Sequence, residues 1–151
     1  MRTKVEYRNV RFRLRDVHIM KRMIFAATSI LLLAIEIIIG VFATGWVRNY
    51  LGDVLVVVFL YTIFRTFSPN MPDKWFIIPS AVLLFSFAVE FLQLWGFCDR
   101  FGITNNLLRI IIGTGFSPVD ILCYVIGIIP CYVSEYVISR YELKKYKFEY
   151  K

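Results

Sequence analysis

Residues 23–47, MIFAATSILLLAIEIIIGVFATGWV, decide the fold class of this chain. The stretch lies between Arg22 and Arg48 and contains a single charged residue, Glu36. A helix that crosses the roughly 30 Å hydrocarbon core of a bilayer needs about 20 mostly apolar residues. This stretch therefore predicts a transmembrane helix, and it is too long for the apolar core of a secretory signal.

Three later stretches have the same character. They are residues 51–67, residues 75–98 and residues 119–138. The chain has 151 residues, of which 58% are hydrophobic, whereas soluble domains are usually about 45–50% apolar. We expect an all-α, polytopic membrane protein with four transmembrane helices. The apolar residues 107–116 are too short to span, and they predict a short interfacial or re-entrant helix on the outer side.

Basic residues gather at both ends of the chain. Residues 1–22 contain eight Lys and Arg and residues 139–151 contain five, whereas the connections between the spans hold few. Because Lys and Arg favour the cytoplasmic side, both termini are predicted to be cytoplasmic. The predicted domains are a basic cytoplasmic N-terminal segment (1–22), a four-span membrane domain (23–138) and a basic cytoplasmic tail (139–151).

Both basic segments contain a short run in which apolar and polar residues alternate, at residues 10–15 and 146–150. Such alternation is typical of strands, and the two runs could form a small cytoplasmic pair. The favoured interpretation is simpler, with two basic tails lying on anionic lipid headgroups. Since the charge is concentrated beside the membrane, nucleic acid is not an expected partner.

The residues that many enzymes use are scarce in this chain. It has one histidine, His18, in the basic N-terminal segment, and three cysteines that form no CxxC pair. A histidine-based catalytic triad, a metal site and a disulfide framework are therefore not expected. No cofactor is predicted, and the sequence leaves open whether the protein is an enzyme.

Each predicted span carries one carboxylate near the outer side of the membrane, namely Glu36, Asp53, Glu90 and Asp120. The outer connections supply Arg48, Arg100 and Arg109, and Gln93 shares a helix face with Glu90. Ionisable groups facing lipid are costly, so we expect these side chains to face inward and to form a polar pocket that opens outward. Near the inner side, Arg65, Tyr61 and Glu135 are interpreted as ordinary interface residues.

Two interpretations of the outer carboxylates remain open. In the structural one, Asp53 and Asp120 begin helices and are stabilised by the helix dipole. In the functional one, Glu90 and Asp120 are candidate catalytic residues, with Glu90 the preferred general acid or base. The candidate ligand-binding residues are then Arg48, Asp53, Gln93, Arg100, Arg109 and Glu36, with the arginines meeting phosphate or carboxylate groups.

A family resemblance rests on three short elements. In chain order, they are Arg48-x-x-x-Gly52-Asp53, then Glu90-x-x-Gln93, then Asp120 ahead of a glycine-containing span. Residues 25–135 resemble a family of small four-span bacterial membrane proteins of unknown function that are related to the VanZ-like proteins. Arg100 matches an arginine of the VanZ-like pattern, whereas Tyr124 and Gly127 stand where that pattern has an asparagine. The resemblance implies the bacterial plasma membrane and a link to resistance against glycopeptide antibiotics such as teicoplanin.

The expected function is binding or modification of a cell-envelope ligand, such as a lipid headgroup, a cell-wall molecule or a glycopeptide-like molecule. The expected partners are the lipid bilayer and that ligand. One alternative is a proton- or cation-coupled transport component, although four spans without an internal repeat are few for a transporter. The other alternative is an accessory or scaffold subunit that docks through the basic tails. The oligomeric state stays open.

Overall fold

A computed structural model describes the backbone of residues 4–68, 74–105, 108–109, 112 and 115–149, and the side chains of those among them that lie within 19–141. The helices are α1 (Lys4–Phe42), α2 (Gly52–Phe67), α3 (Ile77–Leu94), α4 (Phe97–Arg100) and α5 (Pro118–Glu149), and a π-helical turn, Val47–Leu51, leads into α2. No strand occurs among the described residues.

Four helical segments are long and apolar enough to cross a membrane. They are Ile19–Phe42, Val47–Phe67, Ile77–Leu94 and Pro118–Tyr141. The predicted all-α fold with four transmembrane helices is therefore confirmed. Large side chains on their outer surfaces are exposed, such as Ile30 at 70% and Phe42 at 79%, as a lipid-facing surface requires.

The alternating runs near the two ends of the chain are helical, not extended. Residues 10–15 lie inside α1 and residues 146–149 lie inside α5. The strand pair considered for these runs is therefore wrong for these residues, because both runs continue long helices. Tyr150 lies outside the described residues, as does half of the predicted short helix at residues 107–116.

Helix α2 is central in the bundle, since it packs against α1, α3 and α5. Its inward stripe repeats every four residues, as the helical period predicts, and consists of Asp53, Val57, Tyr61 and Arg65. The facing stripe of α5 consists of Tyr124, Ile128, Cys131 and Glu135, all of them buried. Val82 of α3 joins this core. Each stripe is thus apolar in its middle and polar at both ends.

Side-chain contacts fix the relative directions of the helices. Ser29 of α1 donates a hydrogen bond of 2.9 Å to Thr62 near the end of α2. Tyr124 near the start of α5 donates one of 2.7 Å to Glu90 near the end of α3. Tyr61 of α2 meets Glu135 of α5. Hence α1 and α3 run antiparallel to α2 and α5, which both begin at one end of the bundle.

One glycine lets α2 and α5 approach each other backbone to backbone. A Cβ atom placed on Gly127 would overlap the carbonyl oxygen of Val54. Small residues allow this close contact between membrane helices, where van der Waals packing replaces much of the hydrophobic driving force. The contact fixes the spacing of the two helices that carry most of the buried polar groups.

Candidate functional site

The four carboxylates converge at the end of the bundle where α2 and α5 begin. We call Glu36, Asp53, Glu90 and Asp120 the carboxylate cluster. The carboxyl groups of Asp53 and Asp120 are close enough to hydrogen-bond to each other, and Glu36 and Glu90 interact with Asp53 through their charges. A Cβ atom placed on Gly52 would lie 3.7 Å from Glu36 Oε2, so Glu36 reaches the start of α2.

Glu90 is the most deeply buried member of the carboxylate cluster, with 2% of its surface exposed. Its Oε1 accepts the hydrogen bond from Tyr124, whereas its Oε2 is buried without a hydrogen-bond partner. Glu36 Oε1 is also buried and has no hydrogen-bond partner. A buried polar atom that makes no hydrogen bond is costly, so the cluster holds more acceptors than its protein surroundings satisfy.

A pocket of about 370 Å³ opens beside the carboxylate cluster. It is lined by Arg48, Asn49, Tyr50, Asp53, Ser117 and Asp120. This volume lies near the lower end of the range of about 300–1,000 Å³ that is typical of small-molecule sites. Three of the six side chains come from the π-helical turn, one from α2 and two from the segment that begins α5. The pocket therefore depends on how these two chain segments meet.

The π-helical turn explains how Arg48 comes to face the same space as Asp53. Its hydrogen bonds join residues five apart, so side chains with that spacing lie close to one face, and such turns occur often at functional sites. The turn runs directly into α2, and Leu51 at the junction is itself helical. Asp53 is therefore not at a free helix end, and the helix dipole explains its position less well than it explains Asp120 in the first turn of α5.

Three of the sequence-predicted ligand-binding residues have partners outside the pocket. Gln93 donates a hydrogen bond of 2.7 Å to the carbonyl of Ile112. Arg109 forms an ion pair of 2.8 Å with Asp99. The structure thus brings Arg48, Asp53 and Asp120 together around the pocket, with Glu36 and Glu90 behind it, and places Gln93, Arg100 and Arg109 elsewhere.

Arg100, the third of these residues, lies in the short helix α4 after α3. Its guanidinium carbon sits 5.3 Å from the centre of the Trp95 ring, in a cation–π contact. The three residues together brace the connection between α3 and α5. Their assignment as ligand-binding residues stays a prediction.

A second polar group lies at the opposite end of the bundle. Arg65 Nε is 2.6 Å from Glu135 Oε1, which also accepts a hydrogen bond of 3.0 Å from Tyr61. All three residues are at least 95% buried. Their interpretation as ordinary interface residues was therefore wrong, because they form a buried ion pair inside the helix bundle. We call Tyr61, Arg65 and Glu135 the Arg65 cluster.

Several residues of the site carried no prediction of a site role. Tyr124 holds Glu90, and Asn49, Tyr50 and Ser117 line the pocket. The signal for Tyr124 was its position four residues after Asp120, which places both side chains on one helix face. No comparable signal exists for the other three, since their positions depend on the π-helical turn and on the start of α5. Among the described residues, no three His, Cys, Asp or Glu side chains are arranged to hold a metal ion.

A family described as proteins of unknown function, DUF2809, matches residues 42–128, more than half of the chain. The chain belongs to the DUF2809 family. All six pocket residues lie inside the matched DUF2809 segment, whereas Glu36 and Glu135 lie outside it. No curated protein and no solved structure matches the chain. The expected family of small membrane proteins of unknown function agrees with the DUF2809 match, and the relation to VanZ-like proteins stays a prediction.

Proposed function

We propose that this multi-pass membrane protein binds a polar cell-envelope ligand, best represented by a lipid headgroup, in the pocket beside Asp53 and Asp120. The observation that carries the proposal is a pocket lined by two interacting carboxylates, Asp53 and Asp120, together with Arg48, with the charges of Glu36 and Glu90 also acting on Asp53. By the distribution of basic residues, the pocket opens to the outer side of the bacterial plasma membrane. The resemblance to VanZ-like proteins supports an envelope ligand.

A purely structural role for the carboxylate cluster would require compensating positive charge. Among the described residues, ion pairs join Arg65 to Glu135 and Arg109 to Asp99, and none includes a carboxylate of the cluster. Charged residues within membrane helices are costly, and a set of adjacent carboxylates adds repulsion. A bound ligand that supplies positive charge or hydrogen-bond donors offsets this cost.

Binding is favoured over transport because of the apolar layer beneath the cluster. Val57, Val82 and Ile128 are at most 2% exposed and separate the carboxylate cluster from the Arg65 cluster. A proton or cation that enters at Asp53 therefore meets no carboxylate or histidine among the described side chains at that level, and the nearby buried hydroxyl of Ser86 donates to the carbonyl of Val82. Binding is also favoured over catalysis, since neither histidine nor cysteine lines the pocket. If the protein also modifies its ligand, Asp120 and Glu90 stay the candidate catalytic residues.

The test is native mass spectrometry of the protein purified from membranes that contain phosphatidylethanolamine, phosphatidylglycerol and cardiolipin. We expect the parent chain to retain one lipid after most detergent is removed. Asp120→Asn and Asp53→Asn should lower the lipid-bound fraction about tenfold, which corresponds to the loss of one charge-assisted hydrogen bond of about 1.5 kcal/mol.

The matched control is Asp99→Asn, which removes an exposed carboxylate outside the pocket. It should leave lipid retention unchanged. Equal retention in the parent chain, in the two pocket variants and in the control would show that the lipids are only annular, and the proposal would be wrong.

A further inference from the structure

We propose that the pocket recognises a zwitterionic group, with a primary ammonium between Asp53 and Asp120 and a phosphate on Arg48. This inference rests on the proposed function and deepens it by naming the chemistry of the ligand. A phosphoethanolamine headgroup has both charges in the required order.

The acidic wall of the pocket suits a hydrogen-bond donor with positive charge. Two carboxyl groups at hydrogen-bonding distance, as those of Asp53 and Asp120 are, repel each other unless a proton or another cation lies between them. Glu90, which is 2% exposed and does not line the pocket, adds its charge to that of Asp53. A primary ammonium carries one positive charge and three N–H donors, so it can bridge both aspartates.

The arrangement of the acidic residues suits an organic cation better than a metal ion. Among the described residues, no grouping of three acidic, histidine or cysteine side chains has metal-binding geometry. A quaternary ammonium carries the charge without any N–H donor, so it can neutralise Asp53 and Asp120 but cannot hydrogen-bond to them. The acidic wall is thus expected to distinguish ethanolamine from choline.

The basic wall of the pocket consists of Arg48 with Asn49 and Tyr50 beside it. Arg48 is exposed and, in the described structure, forms no ion pair with the carboxylates that line the same space. Guanidinium groups bind phosphate with two parallel hydrogen bonds, and amide and phenol groups can donate further ones. A ligand with an anionic group on Arg48 and a cationic group on the aspartates pairs with the charges of both walls at once.

The level of the pocket matches that of a lipid headgroup. Arg48 to Tyr50 begin one candidate span, and Ser117 directly precedes another, so the pocket lies at the boundary of the apolar core. Trp46, 68% exposed, and Tyr50 occur at the same boundary, where amphipathic aromatic rings are enriched. A soluble phosphoethanolamine compound shares the chemistry, and the experiment separates these two sources.

The experiment compares retention of three lipids with the same acyl chains by the purified full-length protein. The lipids are phosphatidylethanolamine, phosphatidylcholine and phosphatidylglycerol, each offered alone and in pairs, and bound lipid is counted by native mass spectrometry. We expect phosphatidylethanolamine to be retained about tenfold more than either of the others. Asp53→Asn should abolish this preference, and Arg48→Gln, a change at an exposed position, should lower retention of phosphatidylethanolamine and phosphatidylcholine alike.

The outcomes separate this inference from the proposed function. Equal or stronger retention of phosphatidylglycerol, lost in Arg48→Gln, would overturn the ammonium site while leaving headgroup binding intact. Retention that no pocket variant changes would overturn both proposals. Competition by glycerophosphoethanolamine against phosphatidylethanolamine would support the same chemistry with a soluble source, and lack of competition, with the lipid preference intact, would support the lipid.

Discussion

The carboxylate cluster and the Arg65 cluster lie inside one helix bundle but balance their charges differently. Fifteen residues separate Asp120 from Glu135 on α5, so the clusters are about 22 Å apart along that helix. In the Arg65 cluster, one guanidinium faces one carboxylate, and the Tyr61 hydroxyl donates to the same oxygen. In the carboxylate cluster, four carboxylates accept one side-chain hydrogen bond from the described residues, that of Tyr124, and one arginine, Arg48, lines the adjacent pocket.

The difference indicates which of the two clusters is structural. A buried ion pair whose partners satisfy each other requires nothing from outside the protein, although it contributes little net stability over an apolar replacement. A group of carboxylates with unsatisfied oxygens costs stability, and natural proteins keep such cost mainly where function requires it. The difference favours a structural role for the Arg65 cluster and supports the proposed ligand binding beside the carboxylate cluster.

The largest expected effect is at Glu135. Changing Glu135→Gln leaves the charge of Arg65 buried without its counter-charge, which should lower the free energy of unfolding by about 3–5 kcal/mol. Chemical unfolding in detergent, followed by circular dichroism, measures it. The double variant Arg65→Met with Glu135→Met should recover most of the loss. If the double variant is as unstable as Glu135→Gln, the charge pairing is not the cause.

A smaller loss is expected where α2 and α5 touch between the two clusters. Gly127→Ala places a methyl group against the Val54 carbonyl, and this overpacking should cost about 1–3 kcal/mol. Because the change separates the helices that carry both clusters, lipid retention by the pocket should fall as well. Thermal unfolding and the lipid assay measure the two effects.

The control for this change is Gly40→Ala in α1, where a Cβ atom meets nothing within 4 Å. Alanine is a better helix former than glycine, so Gly40→Ala should leave stability equal or raise it by up to about 1 kcal/mol. A similar loss in both variants would mean that the close approach of α2 to α5 is not what Gly127 provides.

The smallest effect is expected at the exposed ion pair between Arg109 and Asp99. The side chain of Asp99 is 73% exposed, and exposed pairs contribute about 0–1 kcal/mol. Asp99→Asn should therefore change the unfolding free energy by less than about 1 kcal/mol. This change should be smaller still at high salt, which screens the ion pair. A loss comparable to that of Glu135→Gln would show that exposure does not explain the contrast between the clusters.

Much of the fold follows from the sequence, because long apolar runs can form only helices in a bilayer. The convergence of Glu36, Asp53, Glu90 and Asp120 on one end also follows from counting residues along alternating spans. Arg65 and Glu135 were misjudged because their position near the ends of spans suggested an interface. The four-residue repeat from Asp53 to Arg65 predicts that Arg65 is buried, since it places Arg65 on the inward face of α2.

The rest of the site could not be predicted, for local reasons. No side-chain pattern in the sequence predicts the π-helical turn. This turn places Arg48 and Tyr50 at the pocket. Arg109 pairs with Asp99 because the connection after α3 folds back on itself, which apolar periodicity does not encode. Sequence reasoning thus grouped the acidic residues with Arg48, as the structure does, and wrongly placed Arg100 and Arg109 in the same space.

The most direct test of the contrast is the thermal unfolding midpoint, in detergent, of Asp53→Asn and Asp120→Asn beside Glu135→Gln. All three changes replace a carboxylate with its neutral amide, so their shapes are matched. We predict that the two aspartate variants unfold at the same temperature as the parent chain or higher, whereas Glu135→Gln unfolds many degrees lower. A fall in the aspartate variants equal to that of Glu135→Gln would contradict the account, because the carboxylate cluster would then be structural too.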